Sequence, residues 1–183
     1  MNEKTKIICR TALLLALAIV SQFFKNLSVY ITGPIINCIL IIAVLSCGLI
    51  SGTILAVITP ITSWIITGSP IMSALPMVPF CVMGGNFILV LAVWLFVRNR
   101  ETNRSLILGM LAGSVIKAAF MAVTIVLLVL QLLGPSSGLP DAALTAAKTT
   151  FSVTQLITAL IGSALAFIIW QPLKRFLKHP EKS

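Results

Sequence analysis

The stretch GPIINCILIIAVLSCGLISGTILAVITP, residues 33–60, decides the architecture of this protein. It belongs to an apolar run that continues to residue 67, with only glycine, proline and small polar side chains between the aliphatic ones. A membrane-spanning helix needs about 20 residues, so a run of this length holds two spans. Gly48 and Gly52, near its middle, allow a tight turn. The stretch therefore predicts a hairpin of two transmembrane helices.

The composition of the whole chain agrees with a membrane protein. Of its 183 residues, 58% are hydrophobic and 9% are charged, and the mean hydropathy is +1.11. Side chains so poor in charge cannot cover the surface of a soluble domain, so most of the chain faces lipid. We expect an all-α integral membrane protein in which residues 1–183 form one domain, a bundle of six transmembrane helices. The approximate spans are 5–24, 35–50, 52–67, 76–97, 105–133 and 144–170.

The basic residues predict the orientation of this bundle. They cluster before the first span, between the fourth and the fifth, and after the sixth. Loops rich in lysine and arginine stay in the cytoplasm, so both termini are expected to be cytoplasmic. The net charge of +9 then reflects topology, and we expect no nucleic acid as a partner. The three clusters are Lys4, Lys6 and Arg10; Arg98, Arg100 and Arg104; and Lys174, Arg175, Lys178 and Lys182.

Several kinds of chemistry lack their residues. The four cysteines have no paired spacing, and His179, the single histidine, lies in the polar tail, so neither a metal site nor a disulfide framework is expected. No phosphate-binding loop, catalytic set or intramembrane carboxylate is present. We therefore predict no enzyme activity, no cofactor, no ATP hydrolysis by this chain alone and no proton-coupled relay.

Lys117 is the most informative single residue. It lies near the middle of the fifth span, where an ammonium group costs several kcal/mol unless it is paired or hydrated. Gly113, Gly109 and Ser105 precede it at four-residue spacing, which places it on the small-residue face that packs against other helices. Lys117 either awaits an anionic or carbonyl-rich ligand, or it reaches an interface or backbone carbonyls without a ligand.

Other polar and aromatic residues within the spans leave two interpretations open. Asn37, Asn86 and Gln155 form interhelical hydrogen bonds, or together with Lys117 they line a polar pocket. Tyr30 and Trp64 belong to the aromatic belt at the membrane interface, or they stack on a flat ligand near the outer loops.

The first span contains alanines where leucine would partition better into lipid. In RTALLLALAIVSQFFKN, residues 10–26, Ala12 and Ala16 lie four positions apart and Ala18 follows closely. Alanine lets a second helix approach closely enough for dispersion contacts. The patch is either a packing seam within this chain or a surface for another protein.

With its length, its topology and its loops, the chain resembles the substrate-binding S components of energy-coupling factor (ECF) vitamin transporters. The likeness rests on Ala12-Leu-Leu-Leu-Ala16 and on the hairpin of residues 33–60, and it covers essentially the whole chain. The resemblance implies a prokaryotic plasma-membrane protein in which Ala12, Ala16 and Ala18 dock on a transmembrane coupling subunit driven by two ATPase subunits. Substrate transfer would follow from toppling of the docked S component in the membrane.

The resemblance also implies a vitamin-binding pocket near the outer face, walled by the fourth to sixth helices. Asn86, Lys117 and Gln155 would be wall residues, and Tyr30 and residues 68–76 would form the lid.

The sequence constrains the substrate only by charge. The absence of a membrane acid argues against a cation such as thiamine, and Lys117 favours a carboxylate- or carbonyl-bearing compound such as pantothenate, biotin, a flavin or a deazapurine precursor. Two alternatives from other classes are an autonomous small carrier and a membrane scaffold or assembly factor.

Overall fold

A computed structural model describes residues 2–24, 28–99 and 102–178 of the protein. Within these ranges the chain is helical, and six helices are long and apolar enough to cross a membrane, which confirms the predicted all-α membrane fold. Arg100, His179 and Lys182, which contributed to the predictions of orientation and of metal binding, lie outside the described residues.

Each of the first five spans is one continuous helical segment. Two short helices, α4 (Pro70–Ala74) and α8 (Asp141–Thr150), pack against each other at one end of the bundle, and α8 begins the sixth span, Asp141–Leu177. The fifth span combines three elements, α6, a π-helical segment and α7, into a single run of 30 residues, Asn103–Leu132. The elements are α1 (Glu3–Gln22), α2 (Val29–Cys47), α3 (Leu49–Thr67), α4 (Pro70–Ala74), α5 (Met77–Val97), α6 (Asn103–Met121), the π-helical segment (Ala122–Val129), α7 (Leu130–Leu132), α8 (Asp141–Thr150) and α9 (Val153–Lys178).

The predicted hairpin turns at one residue. Gly48 has φ 90°, a left-handed conformation that glycine adopts without strain, and α3 begins directly after it. Gly52 lies inside α3, where an added Cβ would come 2.7 Å from Val90 Cγ1, so this glycine serves helix packing and not the turn. At its other end α2 begins at Val29, six residues earlier than expected, because the Ser28 side chain accepts a hydrogen bond from the backbone N–H of Tyr30.

The sixth span differs from the predicted single helix that ends before Pro172. Phe151, with φ −90° and ψ 6°, separates α8 from α9, and α9 then continues through Pro172 to Lys178. Proline removes one backbone hydrogen bond from a helix. Leu173 and Leu177 pack against buried core side chains beyond the proline, and this packing accounts for the continued helix.

Two apolar clusters fill the bundle, one at each end. The proximal cluster lies on the side of the chain termini, and the distal cluster lies on the opposite side with α4 and α8. Helix α2 is the most buried of the spans, and it contacts α1, α3, α5 and α9. Helix α1 is the least buried span and packs mainly against α2 and α3. The proximal cluster includes Leu40, Ile41, Leu55, Leu89, Val93, Leu106 and Trp170. The distal cluster includes Met72, Val78, Met121, Ile125 and Phe151.

The π-helical segment keeps one face of the fifth span buried. Lys117, Met121, Ile125 and Val129 follow one another at four-residue spacing, and all four are buried. In a helix of 3.6 residues per turn, this spacing drifts steadily around the axis. The wider π turn offsets the drift, so the side chains after Met121 stay on the face that carries Lys117.

Candidate functional site

A cavity of about 380 Å³ lies at the end of the bundle away from the chain termini. This volume falls within the range of pockets that hold small molecules. The end of α1, the first half of α2 and the second half of α3 line it, and α4, α5, α6, α8 and α9 complete the wall. Most of the lining is apolar. The polar lining residues are Gln22, Thr32, Asn37, Thr59, Ser63, Ser69, Asn86, Lys117, Thr150 and Gln155.

Lys117 lies in the wall of the cavity with its ammonium group held by two amide side chains. Its Nζ donates to Asn37 Oδ1 at 2.5 Å and to Asn86 Oδ1 at 2.7 Å, and the residue is only 2% exposed. The third N–H of the ammonium group has no acceptor among the described residues. Lys117 thus binds side-chain oxygens on α2 and α5. It reaches neither the membrane interface nor a backbone carbonyl of the described residues. A neutral pair of partners leaves the positive charge uncompensated.

A proline in α3 explains the orientation of Asn86. Pro60 has no N–H, so the carbonyl of Ala56 four residues earlier lacks its helical partner. Asn86 Nδ2 points to this carbonyl oxygen at 3.5 Å. Because the amide nitrogen is directed at α3, the amide oxygen is directed at Lys117.

Small residues bring the helices close enough for these contacts. A Cβ on Gly162 in α9 would lie 2.6 Å from Asn37 Cβ and 2.7 Å from the Pro34 carbonyl oxygen of α2. On the same face of α9, Ala159 is fully buried and Gln155 borders the cavity. Asn37, Asn86, Lys117 and Gln155, which the sequence had suggested as a polar pocket, therefore share one cavity.

Tyr30 and Trp64, the two aromatic candidates, do not line this cavity. Tyr30 is 56% exposed, does not line the cavity, and its hydroxyl lies 3.4 Å from Thr154 Oγ1. Trp64 Nε1 donates to Ser73 Oγ at 3.1 Å, and its ring packs against the distal cluster. The segment 68–76 does border the cavity, through Ser69 and three residues of α4.

Sequence reasoning missed two contributors. Gln22, the last residue of α1, is 2% exposed and lines the cavity, and its Nε2 donates to the Thr59 carbonyl oxygen at 3.0 Å. The signal for Gln22 was a lone amide near the end of the first predicted span, residues 5–24. Helix α8 also lines the cavity, mainly with alanines, which carried no functional signal in the sequence.

The alanines of α1 divide between two faces. Ala12 and Ala16 are exposed, on a side of α1 that none of the described helices covers. Ala18 is fully buried in the proximal cluster, because two residues turn an α-helix by about 200°. Ala18 is therefore a core residue, and the exposed patch contains only Ala12 and Ala16.

The fold and the cavity together define a class: a multi-pass helical membrane protein with a pocket of small-molecule size enclosed by its spans. The chain matches the family model of the ECF transporter substrate-specific component over residues 6–173, and it belongs to this family. No significant match was found among curated proteins or among solved structures. Members of the family are substrate-binding transport components and not enzymes, and membership implies an ECF module and a small-molecule substrate as partners.

Proposed function

We propose that this chain captures a vitamin or a related micronutrient at the outer face of a prokaryotic plasma membrane and delivers it inward when docked on an ECF coupling module. The observation that carries the proposal is the Lys117 ammonium, held by Asn37 and Asn86 in the wall of a ligand-sized cavity. A buried cation without an acidic partner in a membrane span is a functional feature by default.

The position of the cavity supports uptake from outside. The cavity lies at the end of the bundle away from both termini, next to α4 and α8. With the termini in the cytoplasm, as the basic residues predict, this end faces the exterior.

The charge of the cavity favours an anionic or carbonyl-bearing substrate. Lys117 places a cation in the wall, and no acidic side chain of the described residues lines the cavity. Pantothenate, biotin, a flavin and a deazapurine precursor all offer suitable oxygen atoms, whereas thiamine would meet uncompensated positive charge.

The exposed alanines support docking. A flat surface on α1 lets a helix of the transmembrane coupling subunit approach Ala12 and Ala16 at close range, and dispersion contacts then drive association within lipid. Two ATPase subunits would power the module, and the docked chain would topple to open its cavity toward the cytoplasm.

Mass spectrometry of small molecules released from gently purified protein tests substrate capture. The wild-type protein and a Lys148→Ala control are expected to release the same compound in stoichiometric amount, and Lys117→Ala is expected to release none. Lys148 is a matched control because it is exposed on α8, at the same end of the bundle, and does not line the cavity. Empty wild-type protein, or equal release from Lys117→Ala, would contradict the assigned cavity.

Co-purification with the coupling subunit tests docking. Ala12→Leu combined with Ala16→Leu is expected to abolish the complex while compound release stays unchanged, because the added side chains hold the helices apart. Ala164→Leu, on an exposed face of α9, is the matched control and should retain the complex. Uptake that persists without the ATPases would instead indicate an autonomous carrier, and a chain with neither compound nor complex would indicate a scaffold.

A further inference from the structure

Gln22 contains a buried oxygen atom that nothing in the described part of the chain satisfies. Its Oε1 is the one buried side-chain nitrogen or oxygen without a hydrogen-bond partner among the described residues. An unpaired buried acceptor is destabilising, and native proteins leave few of them. The exception therefore calls for a partner that the described residues do not supply.

The surroundings of Gln22 show where such a partner can enter. The residue lines the cavity, and its Nε2 is tied to the Thr59 carbonyl oxygen of α3 at 3.0 Å. With the nitrogen anchored to α3, the oxygen remains for a donor that arrives through the cavity.

Lys117 supplies the complementary group. Its third N–H is a donor without an acceptor among the described residues, whereas Gln22 Oε1 is an acceptor without a donor. Lys117 and Gln22 are both connected to α3. Asn86, which holds Lys117, points to the carbonyl of Ala56, and Gln22 donates to the carbonyl of Thr59. These two carbonyls are three residues apart, about 4.5 Å along the axis of α3. Because Gln22 and Lys117 also line the same cavity, one small molecule in it can contact both groups.

We propose that Gln22 is a substrate-contacting residue and that the substrate offers an N–H or O–H donor to its Oε1 in addition to an acceptor for Lys117. This inference rests on the proposed function and narrows it. The substrate is a neutral or anionic molecule with a donor and an acceptor that reach these two groups within one cavity, and the two contacts fix its orientation. Helix α1 then belongs to the binding site as well as to the docking surface.

The test uses the full-length protein and a defined mixture of pantothenate, biotin, riboflavin and thiamine. The compound that the wild-type protein retains is identified, and its affinity is measured beside analogues in which each N–H or O–H donor is methylated in turn. One methylation is expected to weaken binding to the wild-type protein by about tenfold to a hundredfold, because it leaves Oε1 unpaired. Gln22→Met should bind the parent compound and that analogue with equal, weakened affinity.

The outcomes separate this inference from the proposed function. If the wild-type protein retains a compound through Lys117 but tolerates every single methylation, Gln22 makes no substrate contact and only this inference fails. Equal affinity of Gln22→Met and wild type for the parent compound would have the same meaning. Retention of thiamine would overturn the inference together with the proposed substrate class. The analogue series on the wild-type protein decides the matter even if Gln22→Met does not fold.

Discussion

The two ends of the bundle use the same helices for different purposes, and α2 shows the difference within a single element. From Cys38 to Val44, α2 is a continuous run of buried side chains in the proximal cluster. One residue earlier, Asn37 holds Lys117 in the wall of the cavity. The proximal end has only apolar side chains in close contact along α2, whereas the distal end has, beside its own apolar cluster, polar groups that line a cavity. Stability and binding should therefore respond to substitutions at different ends.

The largest expected effect separates binding from stability at the distal end. Lys117→Met removes the charge and keeps the length of the side chain, so substrate affinity should fall by about 2–5 kcal/mol, roughly thirtyfold or more. Stability without substrate should stay the same or rise, since replacing a buried charge by an apolar side chain is often neutral or stabilising. Isothermal titration and thermal unfolding in detergent measure the two quantities. A destabilised variant with intact affinity would show that Lys117 is a structural residue.

The converse effect is expected at the proximal end. Leu40 is fully buried, and Leu40→Ala should lower the free energy of unfolding by about 2–5 kcal/mol because it leaves a void. Substrate affinity should change less than about twofold, since Leu40 does not line the cavity. Equilibrium unfolding in mixed detergent micelles and substrate titration give the two numbers. A large loss of affinity would mean that the two ends are coupled.

At Gly162 a single substitution should affect both stability and substrate binding, so the separation between the two ends should fail there. An alanine here would press against Asn37 and the Pro34 carbonyl, so α2 and α9 must separate. Overpacking of this kind costs about 1–3 kcal/mol of stability. Affinity should fall as well, because Asn37 moves relative to Lys117. Ala164→Leu, on an exposed face of α9, is the control for both measurements, and an effect of Gly162→Ala on only one of them would disprove the connection.

The smallest effect is expected at Tyr30. Its hydroxyl is near Thr154 but the ring is largely exposed and outside the cavity, so Tyr30→Phe should change affinity by less than about twofold. A greater loss in the same titration would return Tyr30 to the substrate site as a lid residue.

The sequence was a good guide wherever one helix face decides the outcome. Six apolar runs predicted six spans, and the small-residue spacing before Lys117 correctly placed this lysine on an inward face. It was a poor guide where contacts between distant segments decide. Nothing near Asn86 in the sequence indicates that Pro60 frees the carbonyl to which its amide points. Nothing near Ala18 indicates that its face of α1, rather than that of Ala16, packs against α2 and α3.

Local patterns also failed at helix ends. Pro172 reads as a stop signal, but packing of Leu173 and Leu177 carries α9 past it. Gln22 looks like the polar end of a span, but its side chain is held by Thr59 of α3, which lies 37 residues further along the chain. Such long-range effects have no periodic signature in a single sequence.

The proposed docking of α1 and the proposed substrate contact of Gln22 would link two equilibria through one helix. Ala16 and Gln22 are six residues apart, about 9 Å along one helix. A partner docked at Ala16 and a substrate bound at Gln22 would therefore act on the same helix. If docking shifts α1 against α3, the bond from Gln22 to Thr59 changes, and the affinity for substrate changes with it. Thermodynamic reciprocity then requires that substrate alter the affinity for the partner by the same factor. A loaded and an empty chain would thus compete unequally for a limited number of coupling modules.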